Sequence, residues 1–321
     1  MARPTQGDPG LKTWLKRLAQ LAATVVVTWF ILDSVGFDTA ALRDAGVAGW
    51  RPNVLVLAGA TVLLLGAYVA SAAIWGRIVV DLGGPRLTSL DSVGVFMVAN
   101  LGRYVPGKVW QIAGLVAMAK GKGVPGVVAT GAAVLGHGIA LVAATLIGLA
   151  VLLDIPGPLR PWGFAAAAGA VALVVLIAVP STFRSGVGLW FRMTRTEAPE
   201  ALESLHGLRW LSMYLLNWLA YALSFWLLVV SFQADAPLVP IATAYAAAYV
   251  LGYLMIFAPA GVGVREGVLI VFLTPHLGVG PAGAIAVIAR VWTTVVEVVP
   301  AAALWMRSVS GQPAGEAASS E

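Results

Sequence analysis

Apolar residues run through this chain in long blocks, roughly 18 to 25 positions each, separated by short polar connections. Blocks of that length cross a bilayer as helices. The pattern predicts crossings near residues 14–32, 53–75, 127–153, 162–180, 208–232 and 281–306. Strand-like alternation is missing, which argues against a membrane barrel. Within the first block, the apolar segment Leu18 to Leu32 follows Lys12, Lys16 and Arg17, as the core of a signal peptide would. No small-residue cleavage site follows it, so it reads as a retained anchor.

Two regions break the pattern. Residues 87–99 and 107–119 are apolar stretches of about 13 residues, each too short to span. Between them lies ANLGRYVPGKVW (99–110), with two cations, a proline and two glycines. In the second region, 239–275, an apolar stretch meets PAGVG (259–263), with Arg265 and Glu266 just beyond and a shorter apolar piece after them. Both regions read as re-entrant hairpins, 87–119 and 239–275, each entering the membrane and returning on the same side. Each is followed by a Pro/Gly turn and then a full span, so the two form an internal repeat. Three crossings separate them, and an odd number places them on opposite sides. The repeat is therefore inverted, and broken helices at matching positions of inverted halves point to a transporter's binding site. The expected architecture is an all-α polytopic membrane protein. It has about six spans plus two hairpins in a single domain, 1–307, before a small, polar, disordered tail, 308–321.

Composition agrees. Of 321 residues, 60% are hydrophobic and only 11% charged, against about 25% charged in a soluble chain; mean hydropathy is +0.89. The absence of cysteine excludes disulfides, thiolate catalysis and cysteine metal sites. His137, His206 and His276 are too scattered for a histidine metal site. No Walker A pattern is present, which argues against direct ATP drive, and no cofactor or metal is expected.

The net charge of +5 reads as a cytoplasmic face, not as affinity for nucleic acid. With both termini on one side, that side receives thirteen of the 20 basic residues and the opposite side only Arg43, Arg51 and Arg160. The bias places both termini in the cytoplasm of a cell with this protein in its inner or plasma membrane. The first hairpin then opens inward and the second outward. Residues 181–207 read as a polar loop on the inner leaflet, with Trp190 and Phe191 beside Arg184, Arg192 and Arg195.

The remaining basic residues, Arg103, Lys108, Arg265 and Arg290, fall within the membrane, with Glu266 and Glu297. A cation at mid-membrane costs about 2.5–3.5 kcal/mol on insertion scales and usually faces a cavity or a partner. Arg290 and Glu297 lie seven residues apart, about two turns, on one helix face. His137 occupies, after the first hairpin, roughly the position of Arg290 after the second. Pro106 and Gly107 begin a half-helix whose free amides and dipole point into the membrane, with Arg103 before it and Lys108 in its first turn. The Gly261–Gly263 loop and Arg265 build a similar environment. Two facing basic sites fit an anionic group such as phosphate. Plainer roles stay open: proline kinks, snorkelling of Arg103 and Lys108, inter-helix pairing of Arg265, Glu266, Arg290 or Glu297, packing by His137, and interface placement of Tyr104 and Trp110.

At these residues the chain resembles a known family. NLGRYVPGKVW (100–110) is similar to the N…RY-[IV]-P-G-K motif of the lysylphosphatidylglycerol synthase transmembrane region, and PAGVGVREG (259–267) to its P-G-G-[LIV]-G-x-R-E signature, with Ala260 in place of a glycine. The resemblance covers nearly the whole chain. It implies a flippase-like domain, which in multiple-resistance factor proteins moves aminoacylated phosphatidylglycerol outward. The soluble synthase half of those proteins has no counterpart here, so lipid synthesis is not carried over. The expectation is a non-enzymatic transporter of an anionic lipid, such as a modified phosphatidylglycerol or a polyprenyl-phosphate glycolipid. The substrate site is expected at Arg103, Tyr104, Pro106, Gly107, Lys108, Gly261, Gly263, Arg265 and Glu266, with His137, Arg290 and Glu297 in coupling or pairing. A second copy and a separate lipid-modifying enzyme stand open as partners. The alternatives are a small-solute or ion transporter, and a glycosyltransferase using a polyprenyl-phosphate sugar with Asp33, Asp38 or Asp44 as its acid.

Overall fold

The computed structural model describes residues 49–105, 109–153, 160–195, 205–233, 235–254, 261 and 263–310. Ten α-helices and short 3-10 turns make up its regular structure, and no strand occurs among these residues. The helices are α1 (Val54–Asp81), α2 (Ser89–Asn100), α3 (Val109–Lys120), α4 (Gly126–Leu153), α5 (Arg160–Ala178), α6 (Pro180–Met193), α7 (His206–Phe232), α8 (Leu238–Leu254), α9 (Val264–Leu277) and α10 (Val279–Ser310). The anchor expected at 14–32, the loop acids Asp33, Asp38 and Asp44, and tail residues 311–321 lie outside the described residues. Helix α10 runs three residues into the stretch expected to be tail.

Local chemistry sets several helix ends. Asn53 caps α1, its Oδ1 accepting from the amides of Leu55 (3.1 Å) and Val56 (3.3 Å). Thr88 caps α2 by accepting from Asp91 N at 3.1 Å. Pro180 cannot continue α5 but suits the first turn of α6, and the axes of 168–178 and 181–193 meet at 80°. Residues 181–193, read as part of a polar loop, are thus helical. Its Phe183, Val187 and Phe191 recur every four residues and are buried, while Arg184 and Arg192 point outward.

Helices α1, α4, α7 and α10 are each long and apolar enough to cross a membrane; α5 and α6 add one more crossing if the bent pair is a single span. Contacts fix the direction of three of them. Asn53 N donates to Ser231 O at 2.7 Å at one end of α1. At the other end Asp81 accepts from Arg209 (2.5 Å) and from Trp210 Nε1 (2.8 Å). Helices α1 and α7 are therefore antiparallel. Trp292 Nε1 donates to Thr61 at 2.9 Å, and Glu297 meets Tyr68, so α10 runs parallel to α1.

The two broken regions fold back on themselves. A methyl on Gly102 would lie 2.7 Å from the backbone of Gln111, and one on Gly114 would lie 3.7 Å from Ala99 Cα, which is antiparallel register. Lys122, just past α3, binds Asp91 at the start of α2 at 2.7 Å, so both arms open at the Asp81 end of α1. In the second region, Gly252 of α8 abuts Arg265 of α9. Helix α8 starts close after the end of α7, and α9 leads through Gly278 into the start of α10. Those junctions lie at the Asn53 end, so the second pair opens opposite to the first. With 12, 12, 17 and 14 residues, the arms reach about 18 to 26 Å at 1.5 Å per residue, short of a hydrocarbon core of about 30 Å.

Small residues allow close packing around these arms. Helix α8 buries Ala244, Ala246, Ala247 and Ala248. A methyl on Gly148 of α4 would lie 2.8 Å from Ala247 N, so the two backbones nearly touch. The outward faces of α1 and α10 keep Val62, Val69, Val291 and Val299 exposed, as lipid contact requires.

Candidate functional site

Three of the four long helices, α1, α4 and α7, and the two hairpins line a central recess. About 670 Å³ of empty space is bounded by α1, α2, α4, α7 and α8, by Arg103 and Gln111 near the first break, and by Arg265 on α9. A second recess of about 420 Å³ shares Arg103, Gln111, Tyr249 and Arg265 and continues past Gly252 and Gly261. Residues of both breaks, far apart in sequence, thus face one space.

Arg103 and Tyr104 occupy a 3-10 turn, Leu101–Tyr104, that ends the first arm. Arg103 donates through Nη2 to Glu297 Oε1, which also accepts from the Tyr68 hydroxyl. Tyr104 OH donates to Glu297 Oε2 at 2.7 Å. One buried carboxylate, 2% exposed, therefore holds α10 to the first break and to α1. Pro106, Gly107 and Lys108, expected in the same site, lie outside the described residues, as do Pro259 and Ala260.

The second break depends on glycine. Gly261 (φ +70°) and Gly263 (φ +81°) adopt left-handed backbone that disfavours side chains. Glu266 reaches back to accept from Gly263 N at 2.6 Å, capping α9 with its own charge. Its other oxygen pairs with Arg290 Nη1 at 3.5 Å. Glu266 thus locks the break and neutralises part of the positive end expected to face a ligand. Arg290 and Glu297, on one face of α10, pair not with each other but with the second and first breaks respectively.

Arg265 differs from the other cations. It is 7% exposed and lies over the rings of Tyr245 (4.7 Å) and Tyr249 (6.0 Å). No carboxylate lies within ion-pairing distance of it among the described residues. The close approach at Gly252, where a methyl would sit 3.2 Å from Arg265 Cβ, seats the side chain against α8. Three arginines and two engaged glutamates leave a surplus of one positive charge among the described residues, centred on Arg265. His137 lines the cavity, with Nδ1 2.8 Å from Ala133 O one turn back.

The wall also contains residues that the motifs did not mark. Tyr68, Ser71 and Trp75 share a face of α1, and Tyr214, Asn217, Trp218 and Tyr221 share a face of α7. Asn217 Nδ2 donates to Ser71 Oγ at 2.7 Å, and Ser71 shares a 3.1 Å hydroxyl contact with Tyr221. Gln111 Nε2 donates to Asn100 Oδ1 at 2.6 Å, tying the two arms of the first hairpin. The helical spacing of polar and aromatic residues inside apolar spans was the available signal.

A family model described as lysylphosphatidylglycerol synthase TM region matches residues 17–301. The chain belongs to this family. The match includes both breaks and all three arginines of the site, and it makes the chain a multi-pass membrane protein of a lipid-related family. No curated protein and no solved structure matches the chain.

Proposed function

We propose that this member of the lysylphosphatidylglycerol synthase TM family is a flippase-like transporter that carries an anionic, phosphate-bearing lipid between leaflets of the inner or plasma membrane. The carrying observation is Arg265: a buried cation on a cavity wall, stacked on tyrosines and without a carboxylate partner among the described residues. A desolvated guanidinium in that state favours a phosphate oxygen.

The oppositely opening broken-helix pairs support an inverted repeat of two re-entrant hairpins, and with it alternating access around a central site. Arg77, Arg86, Lys120, Lys122 and Arg209 cluster near the Asp81 end of α1, which supports a cytoplasmic assignment for that end and for both termini. The chain acts on lipid position rather than on covalent bonds, and a separate enzyme supplies any modified lipid.

The test is leaflet accessibility in proteoliposomes with labelled phosphatidylglycerol and a polyprenyl-phosphate lipid, comparing wild type with Arg265→Gln and Arg103→Ala. Accelerated exchange by wild type and its loss in both folded variants is the expected result. Exchange that Arg265→Gln leaves unchanged overturns the assignment.

A further inference from the structure

We infer that the lipid taken by this site carries a neutral polyhydroxyl ring, a sugar or cyclitol, on its phosphate, and not a cationic aminoacyl group. The inference rests on the phosphate reading of Arg265 and adds the chemistry of the rest of the head.

The wall decides the charge. Among the described residues lining either recess there is no acidic side chain, while Arg103 and Arg265 line both. The nearby carboxylates are already taken: Glu297 by Arg103, Tyr68 and Tyr104, and Glu266 by Arg290 and the Gly263 amide. An ammonium group entering this space would meet like charge and no counter-ion, and burying it unpaired is costly. A phosphate with a neutral substituent meets no such penalty.

Aromatic side chains supply most of the remaining wall. Tyr68, Trp75, Phe96, Tyr214, Trp218 and Tyr245 line the larger recess, presenting rings against which the C–H faces of a sugar or cyclitol pack. Polar groups are interleaved with them. Trp75 Nε1, a donor, and Asn217 Oδ1, an acceptor, are buried without a hydrogen-bond partner among the described residues. Trp75 lies one turn beyond Ser71 on α1, and Asn217 donates to Ser71 from α7, so the two orphans belong to one wall. Both atoms are sealed from solvent behind the wall surface; a hydroxyl both donates and accepts, so a ring with several hydroxyls has the groups to match either atom once the wall side chains turn toward it. Leaving them unmatched is the condition that makes a site reject analogues lacking the hydroxyl.

The experiment is competitive lipid retention measured by native mass spectrometry. The full chain is placed in phosphatidylcholine nanodiscs doped equally with phosphatidylinositol, phosphatidylglycerol and lysyl-phosphatidylglycerol of matched acyl chains. Phosphatidylinositol is expected to be retained about three- to tenfold over phosphatidylglycerol, the worth of one or two net hydrogen bonds, with the lysyl lipid lowest. Trp75→Phe keeps a ring but removes the donor, and is expected to shrink that preference; Asn217→Ala, with unfolding checked by tryptophan fluorescence, does the same from the other helix. Arg265→Gln removes retention of all three. Lysyl-lipid retention equal to or above that of phosphatidylinositol overturns the head-group inference. So does a preference that survives both wall variants. If retention in those cases still depends on Arg265, the phosphate reading stands; if no lipid shows Arg265-dependent retention, both fall.

Discussion

Replacing Glu297 by Gln tests whether one carboxylate holds three elements together. The variant keeps size and shape but removes the charge on which Arg103, Tyr68 and Tyr104 converge. Arg103 is 15% exposed at its side chain and Glu297 is 2% exposed, so the pair is largely out of water. Breaking a buried pair from one side costs about 3–5 kcal/mol, because the remaining charge stays desolvated. The new amide also turns a donor toward one of the phenols. A loss of that size corresponds to a fall in melting temperature on the order of 10 °C, readable as tryptophan fluorescence during heating in detergent. Removing both partners, as in Arg103→Met with Glu297→Leu, should recover most of the loss, because no orphan charge remains. If Glu297→Gln melts within about 1 °C of wild type, less than 1 kcal/mol at that conversion, the carboxylate does not anchor these elements. If the double variant is worse than the single one, the penalty does not arise from the stranded arginine.

Three further outcomes are expected. Gly148→Ala should destabilise by about 1–3 kcal/mol in the same melt, since its methyl meets backbone at 2.8 Å; an unchanged melting temperature would contradict the close contact of α4 and α8. Glu266→Gln should cost roughly 1–2 kcal/mol through the weakened cap and lost pairing and slow leaflet exchange, whereas full exchange would make the lock dispensable. Because the chain has no cysteine, Lys120→Cys and Asp235→Cys can be labelled without background. The first should react from the cytoplasmic side only and the second from outside only, and the same side for both would overturn the opposed openings.

Much of the helical layout was legible because its causes are local. Long apolar runs marked α1, α4, α7 and α10, and the glycines before Arg265 marked the second break. Both breaks could be read from Pro, Gly and charge at membrane depth. Charge partners could not, since Arg290 and Glu297 share a face yet bind residues on different hairpins, and only the packing of α10 between them decides which. The aromatic wall was hidden for a related reason. Tyr, Trp and Asn at helical spacing look the same whether they face lipid, a neighbour or a cavity, and α1 had to lie antiparallel to α7 before Ser71 could meet Asn217. The polar stretch after 180 was misread as a loop because its three buried apolar residues sit among arginines and serines.

Helix α10 touches the two breaks at points seven residues apart, about 10 Å along its axis, through Glu297 and Arg290. No proline interrupts that interval; Pro300 lies beyond it, and the backbone hydrogen bond it deletes is the one to the Val296 carbonyl, at the Glu297 end. Between Arg290 and Glu297 the helix forms a connecting rod, with its soft joint at the Glu297 bearing. On the transporter reading proposed above, a shift of the first break toward one leaflet would carry the second the same way, closing one opening as the other is drawn open. Under that proposal, two openings linked by such a rod would not both swing wide, and the membrane would be spared a continuous polar leak.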